Sequence, residues 1–366
     1  MLRMHVTLKT AAAILIAMLL LSNALFYSSV RSPSNLYTSN FDILRLRSLE
    51  WQTFAVHTGH TKEQRGRLPN SENLRWLEPE YLPSPVGAPG TRPLPLGAQF
   101  SRQQMRPLWN LFNTFVNVME DLGFSDKWML YGGTLLGSFR HHDIIPWDDD
   151  IDVLVDKEVR PALRKKMRSL LPNYVIQQCG RRDKLSAKLI VLNNSSLDVD
   201  GSRILNRCGW AWPIVDIGYY ISNATHIHEI ATSNNRYCDY PKSDIFSLLF
   251  RPFNKIWAPA PKNLFAFTMQ TYPGDGNCSS LNWSHTFEAH VKRQLVPCAD
   301  LAKRYAFVER SPLYSSVKED GDSPEVLDWV RERLIRGDKV LHEINLVAPR
   351  AEAFIDTYAL RVKSKP

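Results

Sequence analysis

YGGTLLGSFRHHDIIPWDDDIDVLV, Tyr131 to Val155, is the stretch on which the reading of this chain turns. An apolar run from Trp128 to Tyr131 predicts a short strand, and Thr134 to Arg140 predicts a short helix directly after Gly132 and Gly133. Two glycines at a strand-to-helix turn let the backbone approach an anion, and the first turn of the helix presents free N–H groups to it. Gly132, Gly133 and Thr134 are therefore expected to hold a phosphate, and Arg140, within the same quoted stretch, is a further candidate for it. Downstream, Ile151 to Val155 reads as a buried strand. Asp150 and Asp152 are two residues apart, so their carboxylates project from one face and can share a hard divalent cation. Asp148 and Asp149 add further negative charge. Four crowded carboxylates are costly in a folded chain without a cation, which favours a metal site over a solvated acidic loop. The site is not an EF-hand, because with Asp148 as first ligand the required glycine is Val153 and the twelfth ligand Val159. Pro146 and Trp147 are expected to fix the turn into the acidic strand, with His141 and His142 at the surface or in a hinge.

On the N-terminal side, Met105, Leu108, Leu111, Phe112, Phe115, Val116, Met119 and Leu122 recur at helical spacing, with Pro107 near the first turn and Gly123 as the stop. On the C-terminal side, Lys157 to Leu171 predicts a basic amphipathic helix, and Ala187 to Leu192 and Pro213 to Ile221 predict strands. Interleaved strands and helices make an α/β or α+β core.

GGTLLG followed by IPWDDDID, with a step of seventeen residues from Gly133 to Asp150, resembles the signature of the LicD family, which includes bacterial phosphocholine transferases and fukutin-type animal proteins. The resemblance runs from Phe100 to about His285 and extends to PAPKNLFAFTMQTYPG, where Tyr272-Pro273-Gly274 stands in place of the family's tyrosine-glycine pair. It implies a nucleotidyltransferase fold: a mixed sheet flanked by helices that carries a glycine pair, a DxD pair and a third acidic residue on a later strand. Asp216, set among apolar residues in Trp212 to Ile217, is the candidate for the third acid, with Asp198 and Asp200 competing. Asp150, Asp152 and Asp216 are thus the expected catalytic and metal residues, with Mg²⁺ or Mn²⁺ as cofactor. The implied reaction moves a phosphorylated alcohol, of phosphocholine or alditol phosphate type, from a CDP-activated donor to a glycan hydroxyl. Lys188, Arg251 and Lys255 are further candidate phosphate ligands. A DxD glycosyltransferase and an inert glycan-binding relative are the competing readings.

Composition sets the outer limits. A chain of 366 residues that is 44% hydrophobic and 22% charged builds a sizeable core. A net charge of +8 suits an anionic partner, but without a Lys/Arg run or an aromatic-basic motif nucleic acid is not expected. Arg3 and Lys9 precede an apolar stretch, Ala11 to Tyr27, which reads as a signal anchor, with cleavage after Ala24 as the alternative. The expected organisation is a cytosolic tail (1–10), a membrane anchor (11–27), a Pro/Gly-containing extended stem (28–99) and a lumenal catalytic domain (100–366). That makes a single-pass type II protein of the Golgi or endoplasmic reticulum membrane. Sequons at Asn193, Asn194, Asn223, Asn277 and Asn282 fit a glycosylated lumenal domain. Of five cysteines, two disulfides and one free thiol are expected. A zinc site pairing Cys208 or Cys238 with His226 or His228 is the alternative.

Overall fold

The computed structural model describes residues 71–86, 91–187, 209–230, 239–272, 276–313 and 327–363, with short strand pieces at Ala55–Val56 and Arg203–Ile204. The anchor at 11–27, the competing acids Asp198 and Asp200, Lys188, Asn193, Asn194, Cys208 and Cys238 lie outside the described residues. Among the described residues no helix is long and apolar enough to cross a membrane.

Helix α1 (Arg102–Asp121) starts on Ser101, whose side chain accepts from the Gln104 N–H while the Gln104 side chain accepts from the Ser101 N–H. This reciprocal cap satisfies two N–H groups that the first turn would otherwise leave open. Pro107 falls in the second turn. The apolar stripe read from the sequence is buried, and Phe112 and Phe115 both meet the Trp128 ring edge-on.

The sheet that α1 covers is mixed. Strands β1 (Trp128–Leu130) and β2 (Ile151–Asp156) are antiparallel, and helix α2 (Gly132–His141) lies between them in sequence. Helix α3 (Arg160–Arg168) is followed by a hairpin of β3 (Tyr174–Cys179) and β4 (Arg182–Ala187). The centre is β5 (Ile214–Ser222), which runs parallel to β2 along one edge. Its other edge is divided between β4 at the N-terminal half and β6 (His226–Glu229) at the C-terminal half, with β7 (Asp239–Pro241) beyond β6. Of the expected strand at Ala187–Leu192, only Ala187 lies among the described residues, where it ends β4.

A second sheet is formed by β10 (Phe307–Pro312), β11 (Leu327–Arg336) and β12 (Lys339–Pro349), with Ala55–Val56 parallel to β12. Between the two sheets in sequence come the hairpin β8 (Leu249–Phe253) and β9 (Ile256–Ala260), and helix α4 (Leu264–Thr271).

Residues 71–86 and 91–99, expected to form an extended stem, pack against the rest of the chain. Leu74 is buried against Phe250, Val330 and Ile344, the Val86 N–H donates to the Gln104 side chain, and Leu96 packs with Trp147 and Phe307. Proline removes N–H donors but not apolar surface. This segment therefore lies on the folded body without adding to a sheet.

Candidate active site

Four carboxylates and three cationic side chains converge where β2, β4 and β5 meet the start of α2. In the parallel register of β2 and β5, Asp152 stands directly opposite Asp216. Lys184 on β4 is the antiparallel neighbour of Asp216 and donates to its Oδ2 at 2.9 Å. Alternation along β4 sends Arg182 and Lys184 to this face. Arg182 reaches both Asp152 and Asp216 at 3.5 Å. Its other nitrogen donates to Glu229 at 2.6 Å, and Glu229 also accepts from the Tyr131 hydroxyl at 2.6 Å. Glu229 thereby fixes the direction of the guanidinium.

The acidic loop enters through a turn in which the Asp148 N–H donates to the Ile145 carbonyl, with Pro146 and Trp147 at the corner. The Trp147 indole N–H donates to the Ser279 carbonyl, and that of Trp212 to the Asp149 carbonyl. The aspartates then separate by role. Asp149 is structural: its Oδ2 accepts from the Ser284 hydroxyl, the Thr286 N–H and the Thr286 hydroxyl at 2.9–3.0 Å. Asp150 is 4% exposed, yet its Oδ2 has no hydrogen-bond partner, and the same holds for Asp216 Oδ1. Asp150, Asp216 and His285 bring one ligand atom each within 4.8 Å of one another. Asp152 stands beside this trio, turned toward Arg182, with 20% of its side chain in solvent.

The glycine pair has a more specific task than first read. Gly132 has φ +53°, and a Cβ there would lie 2.7 Å from Asp152 Oδ2; a Cβ on Gly133 would lie 2.5 Å from Asp148 Oδ2. The absence of side chains lets two carboxylates press against the N-terminus of α2. Thr134 also serves the frame, accepting the Asp152 N–H at 2.7 Å. Arg140 is corrected as a phosphate ligand. It lies about 12 Å further along α2 at 1.5 Å per residue, buried, and it donates to Cys278 Sγ. Arg251 is buried against Glu332, and Lys255 pairs with Glu72 at the surface. The cations at the site are Arg182, Lys184 and His285, none of them foreseen.

Charge is unevenly balanced here. Burial, followed by the neighbouring Asp149 and Asp152, pushes Asp148 up to about 8. Burial also raises Asp150 well above the usual carboxylate range despite His285, and raises Asp152 to about 6 with help from Asp216. At Asp216 burial is outweighed by Arg182 and Lys184, which hold the carboxyl below its ordinary value. Burial would lower His285, but Asp150 and the Glu288 hydrogen bond raise it to about 10. Tyr272 faces the same acids; burial and then Asp152, Asp148 and Asp150 raise its hydroxyl. Buried carboxylate oxygens without donors, within reach of one point, fit a divalent cation.

Other expectations meet the structure as follows. His141 and His142 are buried rather than superficial: His141 bonds the Ala306 carbonyl, and His142 lies between His342 and Glu332. Cys278 and Cys298 form a disulfide with Cα atoms 4.9 Å apart, and Cys179 is free. Asn223 is exposed at a turn, Asn282 is exposed, and Asn277 is half-buried beside the disulfide. His226 bonds Thr225, and His228 bonds Asp239.

Compared with known proteins, residues 125–263 match the family described as LicD/FKTN/FKRP, nucleotidyltransferase domain. A 57-residue segment, 16% of this chain, is 40% identical to the lipopolysaccharide cholinephosphotransferase LicD of Haemophilus influenzae (strain ATCC 51907 / DSM 11121 / KW20 / Rd). The matched segment spans about a fifth of that relative's length. The glycine pair, the acidic loop and the mixed sheet fall inside the family match, whereas α1 and everything after β9, including His285, fall outside it. Residues 125–263 are thus similar to the nucleotidyltransferase domain described for the LicD/FKTN/FKRP family.

Proposed function

We propose that this chain is a metal-dependent phosphotransferase that moves a phosphorylated alcohol from a CDP-activated donor to a glycan hydroxyl. One observation carries the reading: Asp150 and Asp216 each have a buried oxygen without a hydrogen bond, and with His285 they bring one ligand atom each within 4.8 Å of one another. The relative's name supplies the reaction class, phosphocholine transfer to a lipopolysaccharide. Asp150 and Asp216, with Asp152 beside them, would hold Mg²⁺ or Mn²⁺. Bound there, such an ion would neutralise the donor pyrophosphate and align the attacked phosphorus for in-line displacement.

The chain's own residues do the rest. The acceptor oxygen attacks the phosphorus that bears the alcohol, the bond to the cytidine-side phosphate breaks, and CMP leaves. Arg182, aimed by Glu229, and Lys184 place positive charge beside the carboxylates, where the transferred group gathers negative charge. Asp152, the carboxylate most open to solvent, is where an acceptor hydroxyl can hand over its proton. The disulfide Cys278–Cys298 fits an oxidising lumen. Together with the apolar segment 11–27 and the exposed Asn223 and Asn282, it supports a type II protein of the Golgi or endoplasmic reticulum membrane.

Mass spectrometry of a glycan acceptor incubated with a panel of CDP-alcohols and nucleotide sugars tests the reaction. A gain of one phosphoalcohol, matched by CMP, is expected. Gain of an unphosphorylated sugar would identify a glycosyltransferase instead.

A further inference from the structure

We propose that His285 is a nitrogen ligand of the metal centre, and that the centre therefore takes a transition-metal divalent ion, Mn²⁺ in preference to Mg²⁺. The proposal rests on reading the acidic cluster as a metal site. It concerns a residue outside 125–263, brought in by the C-terminal part of the chain.

The position of His285 is set by its two neighbours. Ser284 and Thr286 both bond the Asp149 carboxylate, so the segment is fastened to the acidic loop on either side of the imidazole. That fastening directs Nε2 at Asp150 Oδ2, 3.4 Å away. Two ligand atoms that each sit about 2.1 Å from one ion are roughly 3.0–3.4 Å apart, from right-angled to tetrahedral arrangements. The gap is thus the span of a bridging ion. The oxygen on its far side, the buried Asp150 Oδ2, makes no hydrogen bond and meets only this imidazole, and Asp216 supplies a third atom within 4.8 Å.

The other face of the ring is built as metal-bound imidazoles are built. Nδ1 lies 3.2 Å from Glu288 Oε1, and Glu288 Oε1 in turn accepts from the Trp210 indole at 3.2 Å. A carboxylate behind a histidine fixes the tautomer that leaves Nε2 free to ligate. Lys184 Nζ, 3.4 Å from Nδ1, completes the surround. Mg²⁺ selects oxygen ligands and keeps its waters, whereas imidazole suits transition metals, among which Mn²⁺ also accepts carboxylates readily. Two aspartates and one histidine match that intermediate preference.

The test uses the full chain with Mn²⁺ alone as probe, read by pulsed EPR, and Mg²⁺ by competition. Bound Mn²⁺ should show coupling to one imidazole ¹⁴N. His285→Gln should lose that coupling and weaken Mn²⁺ at least tenfold, while Mg²⁺ affinity stays within about twofold. Glu288→Gln should keep the coupling with weaker Mn²⁺. Circular dichroism reports whether the variants fold, and if His285→Gln does not, the wild-type ¹⁴N signal decides by itself. Mn²⁺ that depends on Asp150 but shows no nitrogen coupling overturns the histidine ligand and leaves the phosphotransferase reading standing. Absence of any Asp150-dependent Mn²⁺ binding overturns both.

Discussion

Asp149 and Asp150 are chemically identical neighbours with opposite parts to play. Asp149 receives three hydrogen bonds on Oδ2, with Oδ1 buried and without one, while Asp150 Oδ2 is buried and meets only the His285 imidazole, at 3.4 Å. Hydrogen bonds to a charged group contribute about 1.5–3 kcal/mol each. Asp149→Ala should therefore lower stability by several kcal/mol, read as a fall in the denaturant midpoint. Asp150→Asn in metal-free protein should leave stability unchanged or higher, because it removes a carboxylate whose ionisation burial opposes. A second expectation follows from the raised carboxylates. Asp148 is pushed up to about 8 and Asp152 to about 6, against an ordinary value near 3.8, so the folded metal-free protein holds protons there that the unfolded chain releases. Their contribution is full below about pH 4 and is lost as pH rises toward 8. A divalent ion competes with those protons. The rise in melting temperature on adding Mn²⁺ should be larger at pH 8 than at pH 6. An equal rise at both would detach the ion from these carboxylates.

At the scale of elements, the register of β2, β4 and β5 writes the site. Pairing Asp152 with Asp216, and Asp216 with Lys184, needs strands aligned to the residue, and a slip of one would turn each side chain to the opposite face. The acidic pair was legible in the sequence because its alternation and apolar flanks lie within six residues. Arg182 and Lys184 were not legible. Their strand begins in RDK, whose charges mask the period, and Asp183 between them faces the other way, toward Arg160 and the Tyr219 hydroxyl. α2 is held close to the acidic loop at Gly137, where a Cβ would lie 2.6 Å from the Asp143 carbonyl and 2.9 Å from the Ile145 nitrogen. Both are backbone atoms and cannot swing aside. Gly137→Ala should cost about 1–3 kcal/mol, as overpacking does, and weaken divalent binding, whereas Gly123→Ala, with φ +74° but nothing within 4 Å, should strain only its own turn and leave divalent binding unchanged. Calorimetric titration of both variants checks this.

At the scale of the molecule, the matched segment 125–263 is braced by residues outside it. Its Trp128 is covered by Phe112 and Phe115 of α1, and its acidic loop is held by Ser284 and Thr286. The second sheet is fastened to α2 by Glu332, which accepts from Arg251 at 2.6 Å and Arg310 at 2.7 Å and meets His142 at 2.8 Å, all buried. Removing one member of such a group strands the others, at about 3–5 kcal/mol. Glu332→Ala should depress the melting temperature by that measure, and a 125–263 fragment should fail to fold cooperatively. These long-range partners lie up to two hundred residues from the signature, and for that reason no local pattern announced them. His142 reads as a polar loop residue until β11 is brought against it. Likewise, the described prolines Pro79, Pro83, Pro85, Pro93 and Pro95 lie in stretches that pack without joining a sheet.

The buried acids are proposed to form a metal-dependent phosphotransfer centre. The most direct measurement is CMP release from a CDP-alcohol donor by the full chain, with an acceptor glycan, in Mn²⁺ or Mg²⁺ and again after chelation. Release should require the divalent ion. Loss of one ligand costs several kcal/mol of transition-state stabilisation, so Asp150→Asn and Asp216→Asn should each fall by roughly a thousandfold or more while keeping the wild-type circular dichroism spectrum. CMP release that persists after chelation, or that proceeds at the wild-type rate in folded Asp150→Asn, would contradict the account.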